Sequence, residues 1–247
     1  MEVTTVADGI YLVSAANVNC YVVEDEQGCT LIDAGLPAMR HALAGLLAGL
    51  ERHGKPLRAI VLTHGHFDHV GTARWAQQRY RVPVYVHALD RRLAAHPYRY
   101  RSQGSRLLYP LAHPQALPGL GQMMLHGALW VRGVQETDTW QEQQPLPVPG
   151  NPVPIHTPGH TDGHCALHLP ERDVVFSGDA VVTLDPYNTR TGPRIVASAA
   201  TADLDQALRS LEPIAQTEAR TLLSGHGQPW HSGARSAVEE ARKAKAD

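Results

Sequence analysis

The chain has 247 residues, of which 19% are charged, and a net charge of −2. That length suits one domain with a large core, spanning residues 1–247. The near-neutral balance excludes a general nucleic-acid binder or a protein drawn to anionic membranes, since both carry a basic excess. Cys20, Cys29 and Cys165 form no CxxC pair, so neither a disulfide framework nor a thiolate zinc site is indicated, and a reducing cytoplasm is the expected location. Histidine is the outlier, with 15 in the chain, a hint of metal or acid–base chemistry. The N-terminal residues lack a signal-peptide pattern, and no run of about 18 apolar residues predicts a membrane span.

In chain order, Ile10–Ser14, Cys20–Glu24 and Thr30–Asp33 read as short strands, with Asp8-Gly9 and Gln27-Gly28 as turns. Pro37 opens a helix in which Leu43, Leu46, Leu47 and Leu50 recur at helical spacing, and Gly54 closes it. Ala59–Thr63 is a continuous apolar run, the pattern of a buried strand. A second helix starts at Asp68 or Thr72 and runs through Tyr80, and Val82–His87 is the next strand. Residues 88–145 break this rhythm with prolines and a Met123-Met124 pair, and short helices are expected at about 89–95, 104–112 and 121–131. Val153–His156, Cys165–Leu169 and Val174–Ser177 then read as strands. Asp203–Leu211 reads as a helix, Thr221–Ser224 as a strand, and Ser232–Lys245 as a final amphipathic helix. The expected class is α/β, with mixed sheets and helices outside them.

The chemistry concentrates at strand ends. Directly after the run at 59–62 comes Thr63-His64-Gly65-His66-Phe67-Asp68-His69. A loop at the C-terminal end of a strand is where α/β folds place their sites. Side chains alternate along an extended segment, so His64 and His66 can face one side. Asp68 and His69 fall where a helix begins. This spacing suits two adjacent metal ions, one taking His64 and His66, the other Asp68 and His69. Each half needs more ligands, and three later segments offer them. They are His160 in Pro158-Gly159-His160-Thr161-Asp162-Gly163-His164, Asp179 in Ser177-Gly178-Asp179, and His226 in Ser224-Gly225-His226-Gly227. A single histidine is most often a satisfied core residue. Repeated placement of His or Asp beside glycine at strand ends is not what core packing produces.

The series T-H-x-H-x-D-H, P-G-H-T-x-G-H, S-G-D and G-H-G resembles the metallo-β-lactamase superfamily of metallo-hydrolases, in that family's order and over almost the whole chain. Leu31-Ile32-Asp33-Ala34-Gly35 matches the family's first motif. The resemblance implies a four-layer αββα sandwich, two mixed β-sheets flanked by helices, with a dinuclear metal site between the sheet edges. By that match His64, His66 and His160 bind one ion, and Asp68, His69 and His226 bind the other. Asp179 bridges them, and Asp33 fixes the ligand loops by hydrogen bonds. Imidazole and carboxylate ligands without thiolate suit two divalent ions, zinc (Zn2+) first, with iron or manganese as alternatives. Metal binding lowers the pKa of water to about 7, so hydroxide is available to attack a carbonyl or phosphoryl group. Asp68 lies beside that nucleophile as a proton acceptor or donor.

Other residues carry weaker signals. Related lactonases place a tyrosine soon after the bridging aspartate, which makes Tyr187 a candidate for touching substrate. His164 and His156 flank the third motif as supporting or packing residues, and His87 and His168 read as strand residues. Cys165 reads as a small buried hydrophobe. The class B1 β-lactamases of the family carry a cysteine where this chain has Asp179, so that signature is absent. Residues 91–106 hold five arginines and two tyrosines, either a rim for an anionic substrate or a solvated face. The apolar residues of 88–145, among them Leu107, Leu111, Leu125 and Trp130, suit a lid over the cleft or a dimer interface.

The expected activity is hydrolysis of a small-molecule ester, lactone or thioester, by a monomer or homodimer with no nucleic-acid or membrane partner. Glyoxalase II resembles the chain in all metal motifs, but it carries a C-terminal helical domain for which the stretch after His226 is too short. One alternative on the same scaffold is a persulfide dioxygenase-like enzyme with a single iron held by two histidines and one aspartate. Another is a non-catalytic effector protein, which the intact ligand set disfavours.

Overall fold

A computed structural model describes residues 2–105, 108–140 and 144–244. The first sheet holds β1 (Glu2–Ala7), β2 (Ile10–Ala15), β3 (Val18–Asp25), β4 (Gly28–Ile32), β5 (Leu57–Val61) and β6 (Val84–Tyr85), side by side in chain order. β1 to β4 are antiparallel, while β4, β5 and β6 are parallel. Parallel neighbours need a crossover. Here α1 (Arg40–Arg52) provides the first, and α2 (Phe67–Val70) with α3 (Ala73–Tyr80) provides the second. The insertion follows, with α4 (Arg91–Ala95), α5 (Tyr109–Ala112) and α6 (Leu117–Leu125). The second sheet takes β7 (Val153–His156), β8 (Cys165–Leu169), β9 (Val174–Gly178) and β12 (Thr221–Ser224) in the order β12-β9-β8-β7, with β12 parallel to β9. Between β9 and β12 lie the hairpin β10 (Val182–Leu184) and β11 (Thr191–Arg194), then α7 (Leu204–Arg209) and α8 (Glu212–Gln216). α9 (Ala234–Lys243) comes last.

Side-chain alternation builds the layers. In β3, Tyr21 and Val23 enter the core between the sheets, and Cys20 and Val22 face the cluster under α1 and α3. In β9, Val174 and Phe176 point inward, while Val175 packs with residues of α8 and α9. Phe176 meets Tyr21 of the opposite sheet at 5.1 Å between ring centroids. Each sheet is therefore apolar on both faces, and the result is the four-layer αββα sandwich. Among the described residues no helix is long and apolar enough to cross a membrane.

Several elements depart from the sequence expectation. β1 is an exposed edge strand, held by backbone pairing to β2 rather than by apolar side chains. The helix expected through Tyr80 breaks between α2 and α3. There the amides of Gly71 and Thr72 donate to Gly35 and Ala34 across the chain instead of to the preceding turn. The strand expected at 82–87 shrinks to β6, and His87 leaves it to accept a hydrogen bond from the Leu89 amide at a helix start. The helix expected at 121–131 lies earlier, as α6, because Pro118 suits a first turn and Gly127, at φ 92°, ends the run. Asp203 caps α7, and Pro213 starts α8 as a separate helix. The hairpin β10–β11 was not expected. Arg106 and Leu107, part of the helix expected at 104–112, and Lys245 of the final helix lie outside the described residues.

All three cysteines are buried. Burial pushes the Cys29 thiol up to about 12, and Cys20 is raised as well, by burial and then by Asp33. At pH 8 only about one Cys29 in 10⁴ is then a thiolate, the reactive form. Ellman's reagent at pH 8 is therefore expected to leave the native protein unlabelled and to titrate three thiols after denaturation. Rapid labelling of the native protein would contradict this packing.

Candidate metal centre

The strands β4, β5, β9 and β12 all deliver their C-terminal ends to the same edge of the sandwich. Asp33 follows β4, His64 to His69 follow β5, Asp179 follows β9 and His226 follows β12. The turn between β7 and β8 adds His160. Main-chain hydrogen bonds lock the two sheets together there, from the Cys165 amide to the Thr63 carbonyl and from the Asn19 amide to the Gly225 carbonyl, both at 2.9 Å. Gly225 is required at this junction, since a Cβ would sit 2.2 Å from Asp179 Oδ1.

The structure brings every candidate ligand into one buried cluster. His64, His66 and His160 form one group, Asp68, His69 and His226 another, and His64, His69 and Asp179 a third that overlaps both. Asp179 is central. Its Oδ1 lies 3.4 Å from His69 Nε2, and its Oδ2 lies 3.4 Å from His160 Nε2 and 3.3 Å from His226 Nε2. Asp68 Oδ2 lies 3.4 Å from His226 Nε2, and His160 Nε2 lies 3.0 Å from His66 Nδ1. Two ligands each about 2.0–2.1 Å from a tetrahedral ion stand roughly 3.3–3.4 Å apart, so these spacings fit shared coordination. His64 Nε2, His69 Nε2 and Asp179 Oδ1 are buried with no hydrogen-bond partner among the described residues, which is costly unless a cation takes their lone pairs.

The residues behind the cluster fix its tautomers. Thr63 Oγ1 gives its hydrogen to Asp33, so it accepts from His64 Nδ1 at 3.1 Å. Thr201 Oγ1 donates to the Val196 carbonyl and so accepts from His160 Nδ1 at 3.2 Å. His226 Nδ1 donates to the Asn17 carbonyl at 2.7 Å, and His69 Nδ1 faces Asp33 Oδ2 at 2.9 Å. Each ring thus keeps a proton on Nδ1 and turns Nε2 inward, the atom a metal ion would take. Asp33, in the left-handed region at φ 54°, also accepts from the Thr63 amide at 2.8 Å. His164 is a strut: its Nε2 accepts from the Asp179 amide at 3.0 Å, and its Nδ1 meets Thr157 Oγ1 at 2.8 Å.

The electrostatics call for positive charge at the centre. Burial opposes charging His226, yet Asp179 and Asp68 hold it up to about 10, and Asp179 with Asp33 likewise raises His69. Burial favours the neutral acid at Asp179, but His226 and His69 outweigh it and keep the carboxyl well below its usual range. On the other side burial, reinforced by neighbouring imidazoles, keeps His64 and His160 neutral, His160 down to about 3. One half of the cluster is a neutral nitrogen set. The other holds two buried carboxylates.

Two residues that sequence reasoning passed over support the site. Asp90 accepts from the Gly65 amide, Thr161 Oγ1 and the Gly163 amide at 2.8–2.9 Å, tying the His64–His66 loop to the His160 loop. Its signal was available, for it is an acid soon after a parallel strand, like Asp33 and Asp179. Tyr100 packs its ring 4.2 Å from that of His66 and hydrogen-bonds Tyr187. Tyr187 itself is half-buried, on a turn pinned by Asp185, which accepts from the Tyr187 amide at 2.8 Å. Burial, then Tyr100 and Asp68, push its phenol well above its usual value.

The insertion lies against this edge: Tyr98 stacks on Phe67 at 5.6 Å, and Gly119 of α6 faces Asn17 and Pro186. Its outer face leaves Leu111, Leu125 and Trp130 exposed. His87 and His156 stack on each other at 4.5 Å and take no part in the ligand groups. Beside His160 a cavity of about 310 Å³ is lined by Tyr100, Arg92, Arg99 and Arg101. A larger groove of about 840 Å³, near Arg74 and Glu136, contains no candidate ligand, so size alone does not locate the site.

A four-layer αββα sandwich with this buried histidine–aspartate cluster defines a metallo-hydrolase scaffold. The family model described as "Metallo-beta-lactamase superfamily" matches residues 13–226. The chain belongs to that superfamily, as an enzyme of the metal-dependent hydrolase class. It is 31% identical to "Probable metallo-hydrolase YflN" of Bacillus subtilis, covering 90% of this chain and 85% of that one. It is 28% identical to "Hydroxyacylglutathione hydrolase GloC" of Haemophilus influenzae over 68% of this chain and 69% of that protein. Among solved structures, a metallo-beta-lactamase family protein of Thermus thermophilus matches with a TM-score of 0.67 at 25% identity, covering 97% of this chain and 80% of the other. TTHA1623, solved in a di-iron-bound form, matches at 0.61 and 26%, covering 91% and 95%. The donor set and the family together make this a divalent-metal site.

In Asp90→Asn only one oxygen remains where Oδ2 now serves Gly65 and Thr161 and Oδ1 serves Gly163, so the tie between the two ligand loops is broken on one side. Asp90→Asn is expected to weaken metal affinity roughly 10- to 100-fold, read by competition with a chelating dye. Equal affinity would show that Asp90 only packs.

Proposed function

We propose that the protein is a dinuclear metal-dependent hydrolase acting on small carboxylic esters, lactones or thioesters. The observation that carries this reading is the pair of buried triads, His64–His66–His160 and Asp68–His69–His226, with Asp179 between them. The first triad would hold one ion and the second the other, with Asp179 shared. Zinc suits the nitrogen and oxygen donors, and a di-iron form of a relative supports iron as an alternative. Two divalent ions held there would supply a water of pKa about 7 and would withdraw charge from a substrate carbonyl.

The chain's own residues do the rest. Asp68, with Oδ2 beside His226, is placed to take the proton released as the nucleophile adds, and to hand it to the leaving group. A tyrosine phenol is protonated at neutral pH, so that of Tyr187 can donate to a carbonyl oxygen as negative charge develops there. Tyr100 holds that phenol in place. A mononuclear oxygenase would leave Asp68, His69 and His226 without a role, and the buried second triad favours two ions. Three buried thiols suit a reducing compartment, and we place the enzyme in the cytoplasm.

Metal analysis of the purified protein is expected to give about two ions per chain, falling towards one in Asp68→Ala and His226→Ala. Chelation should abolish hydrolysis, and zinc should restore it. One iron, unchanged in both variants, would sink the dinuclear reading. Tyr187→Phe is expected to lower kcat by about 100-fold with metal content intact. A rise in KM alone would place Tyr187 in binding rather than in charge stabilisation.

A further inference from the structure

The cavity beside His160 has a charge imbalance. Its volume of about 310 Å³ is at the lower end for small-molecule sites. Three arginines line it, Arg92, Arg99 and Arg101, against two acids, Asp90 and Asp162. Both carboxylates are already engaged. Asp90 is spent on the Gly65 and Gly163 amides and the Thr161 hydroxyl, and Asp162 pairs with Arg101 at 2.8 Å. Among the described residues the side chains of Arg92 and Arg99 have no ion-pair or hydrogen-bond partner. Leu89 and Leu93 add apolar wall, and His160 and Tyr100 form the side that faces the metal centre.

We infer that Arg92 and Arg99 select a substrate bearing a carboxylate. This rests on the hydrolase reading of the adjacent site and names the substrate class within it: a small ester or thioester of a dicarboxylic acid. Its scissile carbonyl lies at the metal cluster, its methylenes lie along Leu89 and Leu93, and its free carboxylate lies between the two guanidiniums. The planar fork of arginine matches a carboxylate with two parallel hydrogen bonds. A cavity this small admits a short diacid chain and has little room for a bulky second group.

The test compares the methyl thioester of glutarate with that of its monoamide, two substrates of equal length that differ in charge. For the metal-loaded wild type, kcat/KM is expected to favour the carboxylate by roughly tenfold or more, the scale of charge-assisted hydrogen bonds. In Arg92→Gln/Arg99→Gln the ratio should fall to about one at unchanged metal content, and Arg→Lys at both positions should restore only part of it. A wild-type ratio near one, or a ratio that survives the double variant, overturns the inference. If neither thioester is turned over, the hydrolase reading fails separately. Titration calorimetry with glutarate then decides the arginine site: about tenfold weaker binding in the double variant supports it, and equal affinity overturns it.

Discussion

The contact on which the rest of this protein turns is the buried carboxylate of Asp179, within 3.3–3.4 Å of imidazole nitrogens from His69, His160 and His226. An unpaired charge in a dry interior costs several kcal/mol. Here it is surrounded by nitrogens from both sheets, and Asp68 adds a second carboxylate beside it. The arrangement is balanced only when positive charge sits among these groups, as imidazolium protons or as metal ions. The fold holds two acids and five imidazoles close enough together for that exchange.

The sandwich achieves this through parallel strand pairs. β4 with β5, and β9 with β12, each end on the same edge, so the residues following them converge without long loops. Backbone hydrogen bonds between the sheets close the edge, and Asp33 and Asp90 brace it from behind. Asp33 orients the His69 ring and Asp90 fixes the backbone of the His64–His66 and His160 loops, so the candidate ligands are presented before a metal arrives. Such preorganisation removes much of the ordering cost that binding would otherwise carry.

The candidate metal cluster and the arginine-lined cavity come from different parts of the chain. The ligand cluster belongs to the sandwich. Tyr100, Arg92 and Arg99 belong to the insertion, which packs Tyr98 on Phe67 beside the cluster. A scaffold of this kind can keep its metal-binding residues while an insertion changes the residues around them.

The sequence by itself picked out the candidate ligands and their order, because most of them stand close to the end of a strand. Asp179 and His226 follow an apolar run and a glycine, His64 to His69 cluster directly after β5, and His160 sits in a glycine-rich turn; the resemblance to the superfamily joined these seven into one candidate set. The main strands were legible as well, since alternation is local. What was not legible had partners far along the chain. β1 is held by pairing rather than by its own apolar residues, and the break between α2 and α3 is set by carbonyls of Ala34 and Gly35. The role of Asp90 emerged only when the fold set Gly65 and Gly163 against it, and Tyr100 lay within an arginine-rich segment that read as a rim or a solvated face. Only the tertiary structure decided these roles, because a hydrogen bond or a ring contact needs both partners in place, and sequence spacing records only one.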